Sequence, residues 1–348
     1  MSPRRLASEE HRFAHPAVSP RRLARDERGF ALLAVILVMT LLAVVVTEFA
    51  FSMRLEASMV RAYRDGVLAR NLAEAGIQQA IREILSDTNV HGLDESGQVA
   101  FYTVPAGSTA LKQLPSLERT EVPLGSGAFS YRISDEEGRL NVNGGAADRM
   151  QKLLTAIGVD KIERDSIVDA IEDWRDANDT ARANGAESDD YLKLPVPYRA
   201  RNGNFQDTDE LLQVKGITPE MYWGHDDKPP LADVLTARSR NTVNINTASA
   251  PVLSALGLSD AEITDIIQTR TNNPYPTVPG RFTRARVTVG STTFRIDSEG
   301  IVGGEPKARI VAIVQKAAAS PGTPPTVNIV SWRPMPLRAP ATKEPGKS

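Results

Sequence analysis

Residues 28–47 read RGFALLAVILVMTLLAVVVT: an Arg-Gly pair, then eighteen residues from Phe30 to Thr47 without one charge. A helix of that length and composition is able to cross a bilayer, whose hydrocarbon core takes about 20 apolar residues. A secretory signal has a shorter apolar core, about 7 to 15 residues, with small residues behind it for cleavage. This run is longer and has no such site after it. Its apolar pattern continues at helical spacing past Arg54 through Leu55, Met59, Tyr63, Leu68, Leu72, Ile77, Ile81, Ile84 and Leu85. One helix is therefore expected from Phe30 to Leu85, 56 residues that extend roughly 84 Å at 1.5 Å per residue. Residues 30–53 would be its transmembrane part and 54–85 its amphipathic part. A plain signal anchor fits this segment equally well, because hydropathy identifies spans and not processing.

The chain has 348 residues, enough for two domains beside the helix. It has no cysteine, which excludes a disulfide framework, a thiolate metal centre and a Cys nucleophile. An oxidising compartment stays open, because a domain of this size is stable on its core alone. The formal net charge of −2 is uneven. Residues 1–29 hold seven Arg against four acids, about +3, which leaves about −5 for the rest. An Arg-rich leader ahead of the span places the N-terminus in the cytoplasm and the bulk across the membrane. Such a balance gives a nucleic-acid role no support. The leader also carries a near repeat, SPRRLASEEHRFA at 2–14 and SPRRLARDERGFA at 19–31, and only the second copy sets Gly before Phe and an apolar run.

Behind the helix, residues 86–143 are punctuated by Gly, Pro and Ser and hold short strand patterns, QVAFYTV and AFSYRISDEEGRLNVN, the latter turning at Glu137-Gly138. Helical signals dominate 144–280. Strand patterns return over 281–335, in TFRIDSEGIVGG, ARIVAIVQK and TVNIVSWRP, and 336–348 reads as a disordered tail. A strand-rich frame is thus interrupted by a helical domain. That domain has an internal echo: NVNGGAADRMQKLLTAIGVD and NINTASAPVLSALGLS each open on Asn-apolar-Asn, followed by helix, tight turn and a second helix.

The run RGF with its apolar helix, then YRISDEEGRLNVN, DWRDANDTARANGAESDDYLKLPVPYRARN, DELLQVKGITPEMYW and TVNINTASAPVLSALGLS, in this order, resembles the large minor pseudopilins of the general (type II) secretion pathway, a branch of the type IV pilin superfamily. The resemblance covers Arg28 to about Lys316. It implies an α+β fold: a long N-terminal pilin helix and an α/β head with an antiparallel sheet, interrupted by an all-helical insertion of two helix-turn-helix repeats similar to SAM or helix-hairpin-helix units. It further implies cleavage between Gly29 and Phe30 by a prepilin peptidase and methylation of Phe30. The mature protein would be single-pass in the inner membrane, with a periplasmic head at the tip of a short pseudopilus beside minor pseudopilins I and J. Minor pseudopilin H and the inner-membrane assembly platform would be further contacts. Major pilins carry Glu at the fifth mature position, where this chain has Ala34. A lone carboxylate in hydrocarbon is costly unless a neighbour's amine pairs with it, so its loss suits a subunit with nothing above it. The plainer reading is that Ala is the default residue of an apolar helix.

Between Glu172 and Asp190 lie seven carboxylates against two Arg. Hard oxygen donors at this density, with Asn178 and Asn184 among them and no His or Cys, suit Ca²⁺ better than zinc or iron. Asp176, Asn178, Thr180 and Glu187 also stand at offsets 1, 3, 5 and 12 of an EF-hand loop, but Ala181 replaces the offset-6 Gly, which argues against a true EF-hand. The resemblance implies calcium bound here, by Asp173, Asp176, Asn178, Asp179, Glu187 and Asp190. An acidic run is otherwise a solvated face. Trp174, Tyr191, Tyr198 and Trp223 nearby are expected mostly in the core.

Two other functional classes were weighed. NINTASAPVLSALGLS and ELLQVKGITPE are similar to the helix-hairpin-helix of DNA-binding proteins, whose Gly-rich hairpins offer N–H groups to phosphate. Gly257-Leu258-Ser259 stands where such proteins have Gly-x-Gly, and no basic cluster surrounds it, so the counterion-release term is missing. A hydrolase on Asp173 and Asp176 would need a base, nucleophile and oxyanion hole, and the four His, at 11, 15, 91 and 225, are scattered.

Overall fold

The computed structural model describes residues 23–86, 88–105, 107–108, 110–144, 147–224, 228–317 and 324–337, and of 23–28 the backbone alone. Most of the duplicated leader and the tail beyond residue 337 lie outside the described residues. The chain divides into two units, residues 1–64 and 65–348. The first is helical from Leu23 onward, as the start of α1 (Leu23–Ile84). The helix begins ahead of the expected Phe30 because Leu-Ala-Arg-Asp-Glu-Arg are residues that tolerate helix well. Gly29–Ile84 is long and apolar enough to cross a membrane, and its most apolar window has mean hydropathy 3.0 with no residue buried.

In the second unit the chain runs β1 (Val90–Leu93), β2 (Val99–Thr103), β3 (Lys112–Gln113), β4 (Val122–Leu124), β5 (Gly127–Asp135), β6 (Leu140–Asn141), α2 (Ala147–Ala156), α3 (Lys161–Arg175) and α4 (Ser188–Tyr191). After a 3₁₀ turn at Thr208–Gln213 follow α5 (Pro219–Trp223), α6 (Leu231–Val234), β7 (Leu235–Thr236), β8 (Val243–Asn244), α7 (Ala250–Ala255) and α8 (Asp260–Asn272). A second 3₁₀ turn, Gly280–Ala285, precedes β9 (Val287–Thr288), β10 (Thr293–Val302), β11 (Glu305–Lys316) and β12 (Val327–Met335).

Five of these strands form an antiparallel sheet in the order β12-β11-β10-β5-β4. The period-2 pattern read from the sequence sets its inner face: Phe129, Tyr131 and Ile133 on β5, Phe294 and Ile296 on β10, and Ile310, Ala312 and Val314 on β11 are all buried. Onto this face pack Ala69, Leu72, Ala73, Ile77, Ala80 and Ile84 of α1. The approach is close enough to demand missing side chains. A Cβ on Gly300 would land inside the Ala69 carbonyl, one on Gly76 would strike the Ser298 hydroxyl, and one on Gly127 would come 2.6 Å from a Leu72 methyl. The end of α1 is fixed by a buried ion pair. Arg119 donates to Glu83 from Nη2 at 2.7 Å and from Nε at 3.2 Å, and to the Val99 carbonyl at 3.0 Å, while the Tyr131 hydroxyl donates to Glu83. The pair carries two hydrogen bonds in parallel, the geometry in which burial of opposite charges is tolerated.

The inserted region has its own core, running from Leu140 and Val142 to Phe282 and Ala285. It is therefore wider than the expected 144–280 at both ends. The reason is a pair of two-residue parallel bridges, β6 with β7 and β8 with β9, too short to show a strand period in sequence. Each Asn-apolar-Asn motif ends in a backbone clamp. Asn143 accepts from the Phe205 N–H at 2.8 Å and donates to its carbonyl at 2.9 Å; Asn246 does the same for Tyr275 at 2.8 and 3.1 Å.

Gly300→Val should separate α1 from β10 and destabilise the chain by about 2 kcal/mol or more, the scale of overpacking against main chain. Urea unfolding of the detergent-solubilised protein checks this, and an unchanged midpoint would contradict the close contact.

Candidate functional site

The acidic run occupies the end of α3, the following loop and α4. Helix α3 starts on Asp160, which accepts from the N–H groups of Ile162 and Glu163 at 2.9 and 3.2 Å, and its buried face carries Ile167, Val168, Ile171, Asp173 and Trp174. Helical spacing thus turns Asp173 inward with the apolar residues and leaves it fully buried. Asp173 accepts from the Arg182 N–H at 3.1 Å and from its Nη1 at 2.6 Å, and the same Nη1 donates to Asp176 at 2.7 Å. Two nested turns follow: Asp176 accepts from the Asn178 N–H at 3.1 Å, and Asn178 from the Thr180 N–H at 2.9 Å. Asn202 donates to Asp179 at 2.8 Å, and Lys215 Nζ donates to the Gly185 carbonyl at 2.9 Å. A side chain on Gly185 would collide with the Asp173 carboxylate, so glycine is required there.

Glu187 differs from the others. It is 3% exposed, and neither of its carboxylate oxygens has a hydrogen-bond partner. Burial, then the charges of Asp173, Asp176 and Asp179, push its carboxyl above the usual range. Burial also opposes ionisation of Asp176, but the Arg182 and Asn178 hydrogen bonds outweigh it and hold that carboxyl low. Asp190 is turned elsewhere: it accepts from the Glu187 N–H at 3.3 Å and pairs with Lys193 at 3.4 Å. Among the described residues no group of three or more acids or His is arranged to hold an ion. Trp174 and Tyr191 are buried against each other, their centroids 5.3 Å apart, and Tyr198 stacks on Tyr191 at 5.1 Å. Trp223 departs from the expected core position: it ends α5 and is 55% exposed. Gly29, Phe30 and Ala34 lie on α1 in the first unit, all exposed.

A second cluster was not singled out from the sequence, where it read only as a strand end and turn. Asp135, Glu136 and Glu137 are consecutive and all buried, where the chain passes from β5 into the insertion. Asp135 accepts from Ser291 and Thr247 at 2.6 Å each and from Asn244 at 2.9 Å. Glu136 accepts from Arg295 at 2.7 Å and also from Arg139 and Thr236. Glu137 accepts from the Thr293 N–H at 3.0 Å and from Thr292 at 3.1 Å, and its carbonyl from the Asn244 N–H at 2.7 Å. Ser291, Thr292, Thr293 and Arg295 belong to the return into the head, so the three acids tie the exit of one core to the re-entry of the other. Burial raises the Asp135 carboxyl against the hydrogen bonds it accepts from Ser291, Thr247, Asn244 and the Glu137 N–H; burial, then the Asp135 charge, raises Glu137 to about 7. Burial would raise Glu136 too, but Arg295 and Arg139 bring it below its ordinary value. Three successive acids at the end of an alternating strand were the available signal.

The helix hairpins do not present free donors. At α2–α3 the Gly158 N–H bonds the Thr155 carbonyl at 3.0 Å, and at α7–α8 the Gly257 N–H bonds that of Ser254 at 2.9 Å. The N-terminus of α3 holds Asp160, and that of α8 is closed by Glu262, which accepts from the Ser259 N–H at 2.9 Å. A carboxylate stands where a phosphate would bind.

A helix long and apolar enough to cross a membrane, and an α/β head with a helical domain inserted ahead of the last strands, make a pilin-like architecture with an added domain. Models of the family "Type II secretion system (T2SS), protein K" match residues 131–223 and 243–287. The type II secretion system protein K of Pectobacterium carotovorum subsp. carotovorum is 32% identical over 156 residues, 40% of this chain and 46% of that one. That of Pseudomonas aeruginosa is 28% identical over 178 residues, 48% and 51% of the two chains. That of Aeromonas hydrophila is 28% identical over 262 residues, 70% and 75%. In the first two the matched stretch spans about half of the relative's length. A chain of the GspK-GspI-GspJ complex from the enterotoxigenic Escherichia coli type 2 secretion system superposes with TM-score 0.55 at 16% identity, over 82% of this chain and 99% of that one. Over these stretches this chain is similar to the type II secretion system protein K family.

The junction generates a pH dependence. A carboxyl held at about 7 in the folded state and near its ordinary 4.5 when unfolded keeps its proton longer when folded. Stability from Glu137 is thus present at low pH and lost as pH rises from about 4.5 through 7, at up to about 1.4 kcal/mol per pH unit for one proton. Asp135 acts in the same direction. Glu137→Gln should flatten that fall, so that the variant gains on the parent between pH 5 and pH 8 in urea titrations; parallel curves would exclude it.

Proposed function

We propose that this chain is the minor pseudopilin that caps, and nucleates, the periplasmic pseudopilus of a type II secretion system. The observation that carries this is the coincidence of a pilin-length apolar helix with a head and inserted domain that superpose on 99% of a chain from the GspK-GspI-GspJ complex. In this reading the leader is cut between Gly29 and Phe30 by a prepilin peptidase. The span lies in the inner membrane with its N-terminus cytoplasmic and the head periplasmic. Ala34, lacking the carboxylate used in repeated stacking, leaves the subunit at the tip. Minor pseudopilins I and J are its partners, with minor pseudopilin H and the assembly platform as secondary contacts. The two Asn-led helix pairs are a duplicated helix-turn-helix packing unit, and the chemistry is assembly, without catalysis. The DNA-binding alternative finds no support in hairpins whose helix N-termini already hold carboxylates.

Calcium belongs to this reading. A buried carboxylate without a donor, Glu187, beside Asp173, Asp176 and Asp179 is the kind of group a hard cation satisfies. Glu187, Asp173, Asp176, Asp179 and Asn178 would hold it. Asp190 would join them only by leaving Lys193 and the Glu187 N–H. The ion would supply positive charge to an irregular loop and so order it.

Immunogold labelling of sheared pseudopili should find the protein once, at one end, in complexes that also contain I and J; labelling along the shaft would refute the capping role. Calcium at about 100 times its dissociation constant should stabilise the purified protein by roughly 2.7 kcal/mol. Changing Asp176 and Glu187 together to Ala should remove that gain. Superimposable melting curves in calcium and in chelator would reduce the acidic run to a solvated face.

A further inference from the structure

Arg182 stands where a cation would stand. Its Nη1 lies 2.6 Å from Asp173 and 2.7 Å from Asp176, bridging two of the acids whose charges act on the buried Glu187, whose carboxylate oxygens have no hydrogen-bond partner. The arrangement leaves charge uncompensated. Asp173, Asp176 and Glu187 carry −3 when ionised, and one guanidinium supplies +1, delocalised over a planar fork that serves two of the three. The carboxylate it does not reach is the one with no partner.

The two ends of Arg182 are held differently. Its backbone N–H bonds both Asp173 oxygens, at 3.1 and 3.3 Å, and the loop beyond is fastened by Lys215 to the Gly185 carbonyl and by Asp169 to the Asn184 N–H at 3.1 Å. Its side chain is 39% exposed, so the guanidinium has water beside it. The side chain is therefore free to leave while its own peptide stays. Asp173, with no exposure at all, has no such freedom and needs a cation in either state.

Building on the calcium reading above, we propose that Arg182 is a tethered counter-ion that occupies the divalent ion's place between Asp173 and Asp176 and has to swing into solvent for the ion to enter. It accounts for the absence, among the described residues, of a ready-made group of metal-holding acids beside an orphaned carboxylate: two of the ligands are engaged by the competitor. The competition weakens divalent binding by the strength of two charge-assisted hydrogen bonds. It also selects against monovalent ions, which bring no more charge than the guanidinium they would displace. Without the ion, Arg182 keeps the loop neutral enough to stay folded.

The test is calcium binding by isothermal titration to the full-length, detergent-solubilised protein, comparing the parent with Arg182→Ala and Arg182→Gln. Both variants should bind calcium at least about tenfold more tightly, which is 1.4 kcal/mol. Without calcium they should melt below the parent, and saturating calcium should close that gap. Arg132→Ala, an exposed arginine elsewhere on the head, should change neither quantity. Should Arg182→Ala fail to fold, Arg182→Gln, which keeps a donor and loses only the charge, decides. A parent that binds calcium and variants that bind it no more tightly would make Arg182 a purely structural residue and overturn the proposal. No calcium uptake by parent or variants would instead overturn the calcium reading, and this inference with it.

Discussion

Three consecutive carboxylates buried at one point govern how this chain holds two cores together. Leaving an ion without a partner inside a protein costs several kcal/mol, so Asp135, Glu136 and Glu137 are tolerable only where each finds donors. Those donors come from far along the chain: Thr236, Asn244 and Thr247 from the insertion, Ser291 to Arg295 from the return strand. The chain cannot close β10 onto β5 without bringing the insertion's last bridge, β8, to the same place. Entry and exit of the inserted domain are thereby fixed within one hydrogen-bond network, and the head sheet accepts more than a hundred extra residues without losing register. Placing acids at this junction also makes it sensitive to protons, because burial raises Asp135 and Glu137 while Arg295 and Arg139 hold Glu136 low.

The other constraint is steric. In the head, α1 lies on β10 where Gly300 and Gly76 have no side chains, so main chain and hydroxyl meet across the interface. Dispersion grows with such closeness, and the contact leaves no volume to yield. Glu83 and Arg119 close the same interface at its far end, joining α1 to the segment before β4. The part of α1 within the second unit is thus held by apolar contacts along one side and an ion pair at its end.

What the sequence made legible follows the range over which each signal acts. Long periodic segments were read almost to the residue: β10, β11 and β12 fall on TFRIDSEGIV, EPKARIVAIVQK and VNIVSWRPM. The helix was found with one end displaced, since propensity alone extends it through residues 23–29. The insertion's borders were missed because bridges of two residues have no period, and the Asn motifs were seen as a repeat without their role, because a clamp on Phe205 or Tyr275 is set by partners 62 and 29 residues away. Trp223 is one of four aromatics of which most are expected in the core, because large aromatics near helix ends usually bury, and it is the exposed exception. Asp135 to Glu137 read as turn residues: three acids at a strand end are visible locally, but their burial is set by donors as distant as Thr236 and Ser291.

The acidic loop shows why composition could suggest a cation and still not show its site. Carboxylate density is additive along a sequence, whereas a binding site depends on which oxygens remain free after the protein's own donors have been served. Asn178 and Arg182 serve Asp176, Arg182 serves Asp173, Asn202 serves Asp179 and Lys193 serves Asp190. Asp189, which is exposed, and Glu187, which is buried, are left. An acid cluster that were merely a solvated face would place its unserved carboxylate in water, where hydration costs nothing and no donor is needed. Here Asp189 follows that rule, but Glu187 is withheld from water, in a loop whose Arg182 serves Asp173 and Asp176 instead. That inversion of the ordinary distribution ties the loop to a missing positive charge.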